Sequence, residues 1–311
     1  MLDTVPFLGE TLHRWRIGRS TFLASPARGA RLMNWNLELA DGSVRDVIHW
    51  PEITTFEGFQ SVRGGNPVLF PFSARSFHAG NIHQWRDTDG TVRPMPMHGF
   101  ARQGRFELSR ADASGFSAVF QPDAVAREAY PFAYEFTVIY RFAASYLTCE
   151  FVLKNLDTRP IPWSAGHHFY FTVPWESDRT RADYRIHVPA TIRHRQDKTG
   201  QLLPGWDLPV TDSLANSEWI DTIHRGLTKP TAILAPTDGR SGAISVSIGL
   251  DKKTPPAPDA TFVTWSASPE SPFYCVEPWM GPPNSPETGI GLHHVAPGKS
   301  QSFVVEVALS A

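Results

Sequence analysis

Three short segments set ionisable side chains among aromatics and turn formers. They are Pro96-Met97-His98-Gly99-Phe100-Ala101-Arg102, Gly166-His167-His168-Phe169-Tyr170-Phe171, and Val276-Glu277-Pro278-Trp279, which runs on to Gly281-Pro282-Pro283-Asn284. An imidazole titrates near neutrality, and a carboxylate in apolar company is drawn towards the same range. Two imidazoles and one carboxylate therefore supply what paired proton donation and removal requires. The segments lie far apart in the chain, so this chemistry depends on a fold that brings them together. No close His-x-His or His-x-x-x-His pattern suits a metal site. Nothing resembles a P-loop, a dinucleotide fingerprint or a nucleophile elbow.

The elements that must position these residues read as strands. Phe132 to Tyr140 and Leu147 to Leu153 alternate and are rich in β-branched and aromatic residues, and similar runs occur at 31–39, 106–108, 117–121, 243–249 and 302–309. Between them lie the turn dipeptides Asp41-Gly42, Asp89-Gly90, Ser114-Gly115, Asp238-Gly239 and Pro297-Gly298. No long stretch carries helical periodicity, and 27 prolines argue against long helices. The expectation is an all-β fold, a large antiparallel sandwich, forming a single domain over residues 1–311. The stretch from Asp197 to Ser217, rich in Pro, Gly, Asp and Asn, reads as a long functional loop.

Charged residues are 19% of the chain and the net charge is −2, so no basic surface points to nucleic acid. Aromatics at 12%, with ten tryptophans, suit a filled core or the walls of a polar-ligand cleft. Cys149 and Cys275 stand far apart without metal spacing, which fits a reducing compartment. The N-terminus lacks the pattern of a signal peptide and no apolar run reaches membrane-spanning length, so the expected setting is the cytoplasm without a membrane partner.

The motifs together resemble the aldose 1-epimerase (galactose mutarotase-like) family. The resemblance begins at Ala27-Arg28-Gly29-Ala30-Arg31-Leu32 and continues through Arg63-Gly64-Gly65-Asn66-Pro67-Val68-Leu69-Phe70-Pro71-Phe72 and Ala74-Arg75. It takes in His98-Gly99-Phe100-Ala101-Arg102, Tyr130-Pro131-Phe132, the His168 segment, Glu277-Pro278-Trp279 and the Ala296-Pro297-Gly298 turn, all in the family's order. It implies a β-supersandwich with a sugar-binding cleft, and interconversion of the α and β anomers of an aldose without cofactor or metal.

The resemblance also implies roles. Glu277 matches the general base and His168 the general acid, with His167 as its neighbour on the opposite face unless a bulge reverses the pair. His98 matches a residue that hydrogen-bonds the sugar near its reacting end. Arg75 matches a sugar-contacting arginine, and Asp221 the acidic sugar ligand, with Asp212 and Asp207 as competitors for that place. Trp279, Phe100 and Tyr170 are candidates to line the cleft. The substrate is a small sugar, either a free aldose or, from the Arg63-Gly64-Gly65 signature, a hexose 6-phosphate held by Arg63, Arg86 and Arg102. A non-catalytic carbohydrate-binding module would have no need of His168 with Glu277. A glycoside hydrolase would use Glu277 with Asp221 and leave the imidazoles idle.

Overall fold

Two antiparallel sheets hold most of the strands in the computed structural model, which describes residues 1–207, 209–239 and 242–310. The larger has twelve strands. Its main path runs from the meander Leu2–Phe7, Glu10–Ile17, Ser20–Ser25, Arg31–Glu38 and Val44–Ile48 to Phe169–Thr172, then Phe273–Trp279, Thr261–Trp265, Thr222–Leu227 and Ala190–His194. The short strands Val68–Leu69 and Gly166–His167 join beside Phe273–Trp279. The second sheet has nine strands, in the order Arg105–Asp112, Gly115–Gln121, Tyr134–Phe142, Tyr146–Asn155, Ser300–Ser310, Ala243–Ile248, Thr231–Pro236, Tyr184–His187 and Thr211–Ser213.

Alternation sets which faces meet. In Tyr134–Phe142 the residues Phe136, Val138, Tyr140 and Phe142 are buried, while those between them are more exposed. Such a period of two leaves one face to pack on another sheet. Across the sandwich Phe22 stacks on Phe142 with ring centroids 4.4 Å apart, and Trp15 on Phe116 at 5.6 Å. Each such buried ring contributes roughly 1.5–3 kcal/mol from area alone. Among the described residues α-helix is confined to Ala124–Ala129, capped by the Asp123 carboxylate, and the single turn Ser285–Thr288, with short 3₁₀ turns such as Phe59–Ser61 elsewhere. Among the described residues no helix is long and apolar enough to cross a membrane.

The stretch expected as a loop from Asp197 to Ser217 is not wholly irregular. Within it, Thr211–Ser213 adds a strand at the edge of the second sheet, and Trp206 and Leu202 bridge back to Arg193 and Gln196. Local composition marks the turns there, but the backbone partners that turn three of its residues into a strand come from Arg185 to His187.

Candidate functional site

The larger sheet has two faces, and the site is built on the one turned away from the sandwich core. Gly166 pairs with Trp279 and Phe169 with Val276. Carrying that register one step inward sets His168 opposite Glu277. Side chains directly opposite in an antiparallel pair share a face and lie close. His168 Nε2 is accordingly 3.5 Å from Glu277 Oε2. Along the same face, Tyr170 stacks on the His168 ring at 4.5 Å, and Val263 pairs with Glu277 from the other side. His167 points the other way. Its ring stacks on Phe151 at 4.1 Å inside the core.

Asn66 holds the break between these two histidines. Its amide donates to Tyr140 Oη at 2.8 Å and to His167 Nδ1 at 3.0 Å, while its oxygen accepts from the His168 backbone N–H at 3.0 Å. One fully buried side chain thus ties the core histidine, the cleft histidine and the second sheet together.

His98 arrives by a tight reversal. His98 and Gly99 both have positive φ, 64° and 69°. A Cβ on Gly99 would stand 1.9 Å from the Phe70 carbonyl oxygen, so only glycine fits. The His98 backbone N–H donates to the Ala74 carbonyl at 2.6 Å, and Nδ1 accepts from the Ala74 N–H at 3.0 Å. Since Nδ1 accepts, the neutral ring carries its proton on Nε2, where it is a donor. The ring meets His168 edge-on at 5.6 Å. Trp279 lies against His98 at 6.1 Å and over Gly166, and its indole N–H donates to the His167 carbonyl at 3.1 Å.

These residues line a cleft of about 430 Å³, a size suited to one small ligand. His98, His168, Glu277, Arg75, Asp221 and Trp279 all reach it. Tyr170 lines it as well, whereas Phe100 does not. Phe100 is buried in the core against Phe70 and Phe120, because the Gly99 reversal turns it inward. Of the three arginines expected to cluster, Arg63 and Arg102 line the cleft but Arg86 does not. It sits on the strand Gln84–Arg86, which forms a hairpin with Val92–Pro94, and Arg75 takes the third place. Asp221 lines the cleft, while Asp212 is tied to Asn216. Trp265, with Arg63 over its ring at 5.6 Å, and Gln60, Met97, Gln196 and Asp197 also line it. None of these was named from the sequence as a site residue, though Asp197 opens the loop expected to be functional. Trp265 ends a β-branched and aromatic run, Thr261–Trp265, whose composition marks a strand.

Burial sets the electrostatics. It pushes the Glu277 carboxyl, 2% exposed, well above the ordinary carboxylate value, and the Asp221 charge adds to the rise. It pushes His168 well below the ordinary imidazole value, helped by His98, Arg31 and Arg102. His98 falls to about 3, from burial and then the charges of Arg102 and Arg75. Burial therefore favours the neutral form of the pair, with its proton on Glu277. Ligand atoms of His168, Cys275 and Glu277 lie within 4.8 Å of one another, a spacing a metal ion could use. Against a cation stand a buried thiol whose pKa burial raises and the guanidinium charges felt at His168. The donor set suits proton transfer better.

Comparison with known proteins places the chain as a whole. The family model described as aldose 1-epimerase matches residues 21–306. The chromosomally encoded protein LacX of Lactococcus lactis subsp. lactis is 25% identical over 240 residues, covering 73% of this chain and 77% of that protein. A solved protein of Synechocystis superposes with a TM-score of 0.77 at 25% identity, covering 100% of this chain and 99% of the other. The galactose mutarotase related enzyme from Lactobacillus acidophilus has the same fold, with a TM-score of 0.77 at 20% identity and coverage of 100% and 98%.

Proposed function

This chain belongs to the aldose 1-epimerase family, and we propose that it is itself an aldose 1-epimerase, interconverting the α and β anomers of a sugar by paired proton transfer. The observation that carries this reading is the 3.5 Å contact between His168 and Glu277 in a sugar-sized cleft, with the His98 ring at its side.

Opening a pyranose moves two protons. The anomeric hydroxyl loses one as C1=O forms, and the ring oxygen gains one as the C1–O bond to it breaks. Glu277 is the base at the anomeric hydroxyl and His168 the acid at the ring oxygen. His98, with its proton on Nε2, donates to sugar oxygen near C1. After rotation about C1–C2, closure on the other face of the aldehyde reverses the two roles. The pair needs only one shared proton, which its contact can pass from Glu277 to His168 to make the working charged form. These side chains supply every proton the reaction moves, so the reading calls for no cofactor or metal. The two free, buried cysteines suit a cytoplasmic setting.

The substrate is a free aldose in the first reading. A second is favoured by Arg63, Arg75 and Arg102, which line the cleft without an ion pair among the described residues. Such guanidinium groups suit the phosphate of a hexose 6-phosphate. Polarimetry of fresh α-D-glucose, α-D-galactose and α-D-glucose 6-phosphate tests both. Faster decay to an unchanged final rotation supports the epimerase, and the preferred sugar chooses between the readings. No acceleration of any of the three would count against catalysis and favour a carbohydrate-binding module.

A further inference from the structure

Behind the cleft wall lies a guanidinium that the acid–base chemistry does not use. Arg31, at the start of strand Arg31–Glu38, is 0% exposed. It has no carboxylate partner among the described residues. Its Nη1 donates to the Phe59 carbonyl at 2.9 Å, and its Nη2 to those of Val62 and Gly64, each at 2.5 Å. The rings of Phe59 and Trp50 lie against it at 4.9 and 5.1 Å. Burial brings its pKa down to about 9, which still leaves it charged at neutral pH.

All three acceptors belong to one segment, and that segment is part of the cleft. Gln60, Ser61, Val62 and Arg63 line it. The backbone bonds of residues 59–62 are internal, Phe59 to Phe56, Ser61 to Gly58 and Val62 to Phe59, and the backbone rejoins the sheet at Gly65, which donates to His49 and accepts from Tyr170, and at Asn66, which donates to Leu32. A short 3₁₀ turn of this kind has little stability of its own. The segment therefore turns its carbonyls and the Phe59 ring inward onto Arg31, while Gln60, Ser61 and Arg63 face the cleft, with Arg63 laid over Trp265.

We propose that Arg31 is a positioning residue for substrate binding: its fork clasps the 59–64 segment and so holds Arg63 against the cleft. A planar fork can meet three carbonyls at once, which a single ammonium cannot do with the same geometry. Charge-assisted bonds to backbone oxygen are also stronger than neutral ones.

The effect on KM rests on the proposed epimerase reading, so the test has an arm that does not. Arg31→Lys and Arg63→Ala, alone and together, are compared by amide hydrogen exchange and by polarimetric kinetics on the best sugar. The expected result for Arg31→Lys is at least tenfold faster exchange over residues 59–64, with exchange in Tyr134–Phe142 unchanged. Its KM should rise about tenfold with kcat within threefold, and the double variant should be no worse than the worse single one. Unchanged exchange in the segment would overturn the proposal, as would KM effects that multiply. Arg31→Gln replaces the lysine variant if that does not fold, and failure of both would assign Arg31 to general stability and also overturn it. If the wild type turns over no sugar, the epimerase reading fails while the exchange result still decides the role of Arg31.

Discussion

Replacing Asn66 by alanine removes three buried hydrogen bonds at once. The Tyr140 hydroxyl, His167 Nδ1 and the His168 backbone N–H, at 2.8, 3.0 and 3.0 Å from the amide, each lose their Asn66 partner. A buried polar group left unsatisfied costs about 1–3 kcal/mol. Three such groups would sum to several, and part is recovered because water or a shifted side chain fills the space. The expected loss is about 3–5 kcal/mol, read as a lower urea midpoint with an unchanged slope. The same change frees the backbone at His168, where a displacement of about 1 Å from Glu277 should lower mutarotation roughly 10²-fold. The rate is measured by polarimetry at a temperature where the variant remains folded. A stability loss under about 1 kcal/mol with a rate within threefold of wild type would refute the reasoning, because His168 would then be held by the strand register alone.

Three further outcomes follow from the geometry. Burial holds His98 and His167 near a pKa of about 3, and shifts His168 and His224 the same way. Below about pH 6.5 the unfolded chain binds these protons and the folded one does not, so stability falls as pH drops, by about 1.4 kcal/mol per pH unit for each ring. Glu277 acts in the opposite sense, since its raised pKa lets the folded state keep a proton that the unfolded chain has lost, but the imidazoles outnumber it. Urea midpoints at pH 7.5 and 5.5 should differ strongly, and His167→Phe should flatten the slope by about one proton; an unchanged slope would contradict the burial argument. Gly99→Ala, at φ 69° with 1.9 Å between the new Cβ and the Phe70 oxygen, should cost more than about 3 kcal/mol by urea melting. Asp221→Asn removes a charge that raises the Glu277 pKa, so the acid limb of the kcat profile should move to lower pH; a limb that stays in place would uncouple the two carboxylates.

Strands such as Tyr134–Phe142 and Tyr146–Asn155 were legible because each buries one face, and burial writes itself into sequence with a period of two. His98, His168 and Glu277 were legible as chemistry, since each is an ionisable residue among aromatics. Which of His167 and His168 faces the cleft depended on the parity of a strand whose neighbours are more than 100 residues away. Asn66, Trp265 and the clasp of Arg31 depend on partners brought near by the sheet order. Phe100, which could have served the core or the cleft, goes to the core because a single glycine turns its side chain inward, and Arg86 stands apart from Arg63 and Arg102 because its strand lies outside the cleft. The edge strand Thr211–Ser213 owes its existence to its neighbour Tyr184–His187 and not to its own residues.

The most direct test of the account compares catalysed mutarotation by wild type and Glu277→Gln, on the same sugar and with matched urea midpoints. The amide keeps the shape of the carboxyl group but cannot take the anomeric proton. The expected kcat is lower by about 10²–10⁴-fold with a correctly folded protein. A Glu277→Gln enzyme within threefold of wild type would contradict it and remove Glu277 from the chemistry.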